Sequence, residues 1–166
     1  MKRIMIIGCS GSGKTTLSKK LSERLSLPLV HLDKLYWTGH WETVDREEFN
    51  AMLLKELEKD RWIIDGNYNR SIPLRLKYCD TVIYLDFSRW TCLLGVISRV
   101  IKSYGKTRPD MGGDCPEKFD LNFIKFVWNF NKINRERYLE LLRSAKDKRV
   151  IILSNRGECD SFLNGL

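Results

Sequence analysis

Eight residues near the start of the chain, Gly8-Cys9-Ser10-Gly11-Ser12-Gly13-Lys14-Thr15, have the spacing G-x-x-x-x-G-K-[ST]. Each residue type has a physical job. The glycines let the backbone turn tightly and aim N–H groups at an anion. A helix beginning at this point adds unpaired N–H groups and a positive dipole end. Lys14 can reach the β- and γ-phosphates of a nucleotide, and the Thr15 hydroxyl can bind Mg²⁺, with Thr16 beside it. Gly8, Ser10, Gly11, Ser12, Gly13, Lys14, Thr15 and Thr16 are therefore the expected nucleotide-binding residues, and ATP and Mg²⁺ the expected cofactors.

Phosphoryl transfer also needs a metal-side carboxylate, an acceptor site and cations to meet the transferring charge. Asp65, closing the apolar run Trp62-Ile63-Ile64, is the expected metal-side acid together with Thr15. Asp86 after Val82-Ile83-Tyr84-Leu85 competes for that role, with helix entry as its other use. Asp33 can orient an acceptor hydroxyl or take its proton, or else cap a turn. Tyr36, Trp37 and Trp41 either stack on a flat acceptor or are buried under a helical subdomain. Asn67 and Arg70 follow Asp65 and are acceptor-side candidates, although Arg70 could equally pair with a surface acid. Arg99 and Arg108 flank a basic stretch with Lys102 and Lys106, which is either a lid that grips phosphate or a solvated helix end. His31 is expected to be a packed core histidine.

These residues need a scaffold. Strands are expected at 2–7, 28–32, 62–64, 81–85 and 149–153, alternating with helices at 14–26, 46–59, 71–78, 89–103 and 120–146. Asp45 and Ser88 are positioned to cap helices, and Pro73 suits a first helical turn. Residues 34–44 show no clear period, and 104–118 read as a mobile loop. Alternating strands and helices call for a parallel sheet covered on both faces, with ligands at the carboxyl ends of the strands. Gly8, Asp33, Asp65, Asp86 and Asn155 all fall at or just after those ends, so one shared site is expected.

Several classes are excluded or disfavoured. Five cysteines, an odd number without C-x-x-C spacing, argue against a disulfide framework or a zinc site. Cys9 reads as a small residue tolerated in the phosphate loop. No apolar run approaches the ~18–20 residues that span a membrane, so a soluble, cytoplasmic protein is expected. Asn131-Lys132-Ile133-Asn134 lacks the final aspartate of a guanine-reading motif, and Asp110-Met111-Gly112-Gly113 has no strand before it. Both read as coincidences, which disfavours a GTPase. The net charge of +8 suits any polyanion and cannot distinguish nucleotide from nucleic acid.

The runs His31-Leu32-Asp33-Lys34-Leu35-Tyr36-Trp37 with Trp41, Trp62-Ile63-Ile64-Asp65-Gly66-Asn67-Tyr68 and Tyr84-Leu85-Asp86, with the phosphate loop, Arg99, Arg108-Pro109-Asp110 and Glu117-Lys118-Phe119, carry a resemblance. The chain resembles adenylate-kinase-like P-loop kinases, and among them the topology modulation (FlaR-type) group. The resemblance implies an α/β three-layer sandwich with a five-stranded parallel sheet in the order 2-3-1-4-5, a helical acceptor subdomain and a short lid. It implies that Asn155, in Ser154-Asn155-Arg156, borders the adenine. Asp65-Gly66 resembles the start of a D-G-F-P-R motif, but Asn67-Tyr68-Asn69 replace its last three residues. The arginine that would grip an acceptor phosphate is missing there, which points to an unphosphorylated acceptor.

The expectation is thus one domain over 1–166, with an acceptor-binding subdomain at 33–60 and a lid at 99–118. The expected reaction is ATP- and Mg²⁺-dependent phosphoryl transfer to a nucleoside, nucleotide or similar hydroxyl compound. Lys14, Asp33, Arg99 and Arg108 are its expected catalytic residues. The alternative is a nucleotide-dependent regulator that binds DNA.

Overall fold

A computed structural model describes residues 1–166. Strand β1 (Arg3–Gly8) occupies the centre of a five-stranded parallel sheet. It is flanked by β5 (Trp62–Asp65) on one side and β6 (Thr81–Leu85) on the other. The edges are β2 (Leu29–His31) and β7 (Arg149–Leu153). Ranking these five strands along the chain gives the expected order 2-3-1-4-5, since the sheet reads β2-β5-β1-β6-β7. The missing numbers belong to a small hairpin of β3 (Trp37–Gly39) and β4 (Glu42–Thr43) outside the sheet.

The central strands are unbroken apolar runs because helices cover both faces of the sheet. Ile4 to Ile7, Trp62 to Ile64 and Val82 to Leu85 are buried. Each such side chain contributes ~1.5–3 kcal/mol by leaving water. On the covering helix α1 (Lys14–Leu25), Leu17 and Leu21 face the sheet at i, i+4 spacing.

Helix α3 (Arg46–Leu57) starts at Asp45, whose Oδ1 accepts the N–H groups of Glu47 and Glu48 at 2.8 and 2.9 Å. Helix α4 (Ile72–Tyr78) carries Pro73 in its first turn. Ser88 caps α5 (Arg89–Ser103), Asp120 caps α6 (Leu121–Ser144), and α7 (Arg156–Asn164) closes the chain. None of these helices is long and apolar enough to cross a membrane.

Two segments differ from expectation. The second strand stops at His31, and Leu32–Tyr36 form a short helix, α2. Asp33 therefore lies in a first helical turn and not at a strand tip. The contact behind it comes from another part of the chain: Gly66 leaves the neighbouring strand at φ +131°, and Leu32 fills the space where a Cβ on Gly66 would stand, 2.8 Å away. The second difference is segment 104–118. It is pinned by bridges pairing Tyr104 with Glu117 and Thr107 with Pro116. Asp110, Met111, Cys115 and Glu117 are all buried within it, so the expected mobile loop is a packed one.

One contact fixes the phosphate loop against α5. A Cβ on Gly95 would stand 2.1 Å from the Gly11 carbonyl oxygen, so the helix touches the loop backbone directly.

Candidate active site

The loop between β1 and α1 turns through Gly11 and Gly13, both in left-handed conformations (φ +81° and +95°). Lys14 Nζ donates to the carbonyls of Gly8 and Cys9 at 2.7 and 2.9 Å. Burial lowers its pKa below the ordinary lysine value, a tendency that Asp65 and Asp33 oppose. The Gly8 N–H donates to Asn67 Oδ1 at 2.9 Å, so the segment after β5 braces the loop. Ser12 Oγ is buried and has no partner, and nothing stands within 4 Å of the Cβ position at Gly13. A buried hydroxyl without a partner is costly unless a ligand completes it. An unpaired donor, open space and an ammonium on one glycine-rich turn fit a polyphosphate.

The two carboxylates around α1 have different surroundings. Asp65 is buried, with Oδ2 accepting from Ser18 Oγ at 2.9 Å and Oδ1 lying 2.8 Å from His31 Nδ1. Both of its oxygens are engaged, and His31, expected as plain core, is its partner. Thr15 Oγ1 instead donates to Asp110 Oδ2 at 3.3 Å, and Arg108 donates to that same oxygen at 2.6 Å. Asp110, read as coincidental in the sequence, thus reaches the threonine suited to Mg²⁺.

Asp33 Oδ1 accepts from the Tyr68 hydroxyl at 2.7 Å. Burial, and then the Asp33 charge, push the Tyr68 pKa upward, so the phenol stays a donor. Tyr68 is held at φ +34°, a left-handed conformation uncommon for a bulky residue and typical of functional sites. Its ring packs 4.8 Å from Tyr36, and Trp37 stands 5.1 Å from Tyr36 and 5.3 Å from Trp41. The aromatic run packs together and lines a cavity. That cavity, of about 510 Å³, also takes in Ser10, Lys14, Asp33, Asn67, Arg99 and Arg108.

Arg99 and Arg108 converge on one carboxylate. Their Nε atoms lie 3.0 and 2.7 Å from Glu117 Oε1, which is 4% exposed. The contact is one of charge, because none of these three atoms has a well-aligned hydrogen-bond partner. Burial and then the neighbouring Arg108 charge lower the Arg99 pKa. The segment carrying Arg108 is fastened to the 33–40 side of the cavity. Gly112 N–H donates to the Asp33 carbonyl at 3.3 Å, and His40 N–H donates to the Asp114 carbonyl at 2.6 Å.

Other expected site residues lie elsewhere. Asp86 accepts two bonds from Arg135 Nε, at 2.9 and 3.0 Å, and one from Tyr84, so it is structural. Asn155 caps α7 and donates its amide to Glu158 at 2.7 Å, away from the cavity lining. Arg70 is exposed and faces a neighbouring cavity of about 760 Å³ with Tyr68 and Phe49. Thr16 is exposed.

Arg75 was missed entirely. Its guanidinium is fully buried, donating to Ser71 Oγ at 3.1 Å, to the Gly66 carbonyl at 2.9 Å and to the Asn67 carbonyl. Burial lowers its pKa to about 10. It fixes the Gly66-Asn67 turn that braces the phosphate loop. The available signal was its i, i+3 spacing from Ile72, which places it on the apolar stripe of α4.

Comparison with known proteins agrees with this architecture. Residues 1–30, the loop segment, match a family model described as ethanolamine utilisation – propanediol utilisation (PduV-EutP). A shikimate kinase of Enterococcus faecalis is 33% identical over 103 residues, covering 51% of this chain and 59% of that enzyme. The match thus extends over about three-fifths of that relative's length. A shikimate kinase from Acinetobacter baumannii in complex with shikimate superposes with a TM-score of 0.66 at 18% identity, covering 99% of this chain and 90% of that one. The 1.7 Å crystal structure of the Bacteroides thetaiotaomicron shikimate kinase gives 0.59 at 17% identity, covering 99% and 95%. The chain has the adenylate-kinase-like P-loop kinase fold.

Proposed function

We propose that this chain transfers the γ-phosphoryl group of ATP to a hydroxyl of a small, shikimate-like acceptor. One observation carries the reading. A single cavity of about 510 Å³ joins the phosphate loop, through Ser10 and Lys14, to Asp33 and to Arg99 and Arg108. The sequence match to a shikimate kinase supports a hydroxyl-bearing small molecule as acceptor. The motif runs at 31–37 and 62–68 support kinship with the topology modulation group.

The chemistry divides among the chain's own residues. The backbone N–H groups that the loop leaves free between Cys9 and Thr15 hold the nucleotide phosphates, and the Lys14 ammonium draws charge from the β- and γ-oxygens. Thr15, with Asp65 organising the start of α1 through Ser18, would hold the metal side. When bound, Mg²⁺ neutralises phosphate charge and orients the transferring group. Asp33, fixed by Tyr68, orients the acceptor hydroxyl and takes up its proton. Arg99 and Arg108 stabilise the charge spread over the equatorial oxygens in the transition state. The packed 104–118 segment excludes water, favouring transfer over hydrolysis.

The test is transfer of label from γ-labelled ATP to shikimate and related ring alcohols. Label appearing only in free phosphate, with every acceptor, would overturn the reading.

A further inference from the structure

We propose that Asp110, delivered by the 104–118 segment, supplies the carboxylate that holds the magnesium ion beside Thr15. The inference rests on the ATP and Mg²⁺ reading above and adds to it a metal ligand from the segment that closes the cavity.

Three observations carry it. Asp110 is 5% exposed although it belongs to a connecting segment, so its position is built and not incidental. Its Oδ2 accepts the Thr15 hydroxyl proton at 3.3 Å. A threonine hydroxyl that donates its proton to a carboxylate turns its lone pairs outward, which is the state a cation ligand needs. The remaining oxygen, Oδ1, receives no protein hydrogen bond, whereas both oxygens of Asp65 are engaged by Ser18 and His31. The carboxylate with a free oxygen beside Thr15 is therefore that of Asp110.

Charge at the site agrees. The Arg108 guanidinium lies between Asp110 (2.6 Å) and Glu117 (2.7 Å). When a cation arrives at Asp110, Arg108 keeps Glu117 as a partner and can turn toward phosphate. Metal arrival and release of an arginine for phosphate become one event. Closure of the segment would then be read out by the metal and not by nucleotide alone.

The experiment is calorimetric titration of a non-hydrolysable ATP analogue, with and without Mg²⁺, into the wild type and Asp110→Asn. Parallel titrations follow bound Mn²⁺ by electron paramagnetic resonance. In the wild type Mg²⁺ should tighten analogue binding. Asp110→Asn should not weaken metal-free binding, since Arg108 is freed toward phosphate, and should lose about ten-fold of the metal-dependent gain, with Mn²⁺ weakened to match.

Glu117→Gln, which disturbs the same arginines without touching Asp110, should leave Mn²⁺ binding intact even where analogue affinity changes. Should the asparagine variant fail to fold, Asp110→Glu keeps a charge opposite Arg108 while moving the carboxylate, and a similar loss is expected. The proposal is overturned if a folded Asp110 variant keeps the full gain, or if Glu117→Gln loses as much Mn²⁺ binding. It is also overturned if Asp110→Asn binds metal and analogue more tightly, because Asp110 would then be a latch that the metal displaces. A wild type that binds no analogue under any condition overturns the ATP reading with it. A wild type that binds analogue without a metal-dependent gain overturns the metal inference alone.

Discussion

The two halves of the sheet end differently. On the β2-β5-β1 side, Lys14, Asp33 and Asn67 meet at one cavity. On the β6-β7 side, Asp86 and Asn155 occupy comparable places after their strands, and each is bonded to a protein side chain, Asp86 to Arg135 and Asn155 to Glu158. Position at a strand tip therefore makes a residue available to a ligand. Whether it serves one depends on which hydrogen-bonding valences the protein leaves open. Asp65 is an intermediate case, close to Lys14 yet engaged by Ser18 and His31.

The contrast breaks most sharply at Lys14. Lys14→Ala should reduce kcat/KM for phosphoryl transfer by about 10³-fold or more, on the order of 4 kcal/mol. Melting by circular dichroism should move little, because the lysine bonds only to loop carbonyls. Asp33→Asn should lower kcat by about 10²–10⁴-fold while analogue binding persists, since general-base assistance is typically of that size. Equal losses in nucleotide affinity would move Asp33 out of the acceptor role.

A pH series sharpens the comparison more gently. Burial lowers the Lys14 pKa, so its charge is lost at a lower pH than that of an ordinary lysine. Analogue affinity in the free enzyme should fall as pH rises into that range. An affinity that stays flat until the free-lysine value would contradict the effect of burial.

The smallest effects are expected on the β6-β7 side. Arg135→Ala removes a half-exposed guanidinium from the more buried Asp86 and should cost ~1 kcal/mol of stability, with kcat unchanged. Asn155→Ala removes the α7 cap and should cost ~1 kcal/mol, also without effect on transfer. A drop in ATP affinity in the Asn155 variant would restore it to the adenine site.

The sheet was legible because each buried strand is a short apolar run ended by a turn signal, and the phosphate loop because its spacing is tied to one strand and one helix. The start of α2 was hidden because Leu32 is as apolar as the strand before it. Only the approach of Gly66, from a segment distant in sequence, decides that it turns into a helix. Asp110 was hidden for a similar reason. Its partner Thr15 is 95 residues away, and nothing local in Asp110-Met111-Gly112-Gly113 indicates that pairing. Glu117 was visible only within Glu117-Lys118-Phe119, a run that carried the resemblance without a role of its own, although it organises both arginines. Long-range pairing of side chains is the part of the site that local pattern does not encode.

The backbone touch between Gly95 and the Gly11 carbonyl has a mechanical consequence. Arg99 follows Gly95 by one turn on the same helical face, ~6 Å along the axis. With no side chain between helix and loop to cushion a shift, a displacement of Gly11 such as a bound anion would impose would pass along the helix to the guanidinium. The cradle and its distant arginine then work as the two ends of one lever.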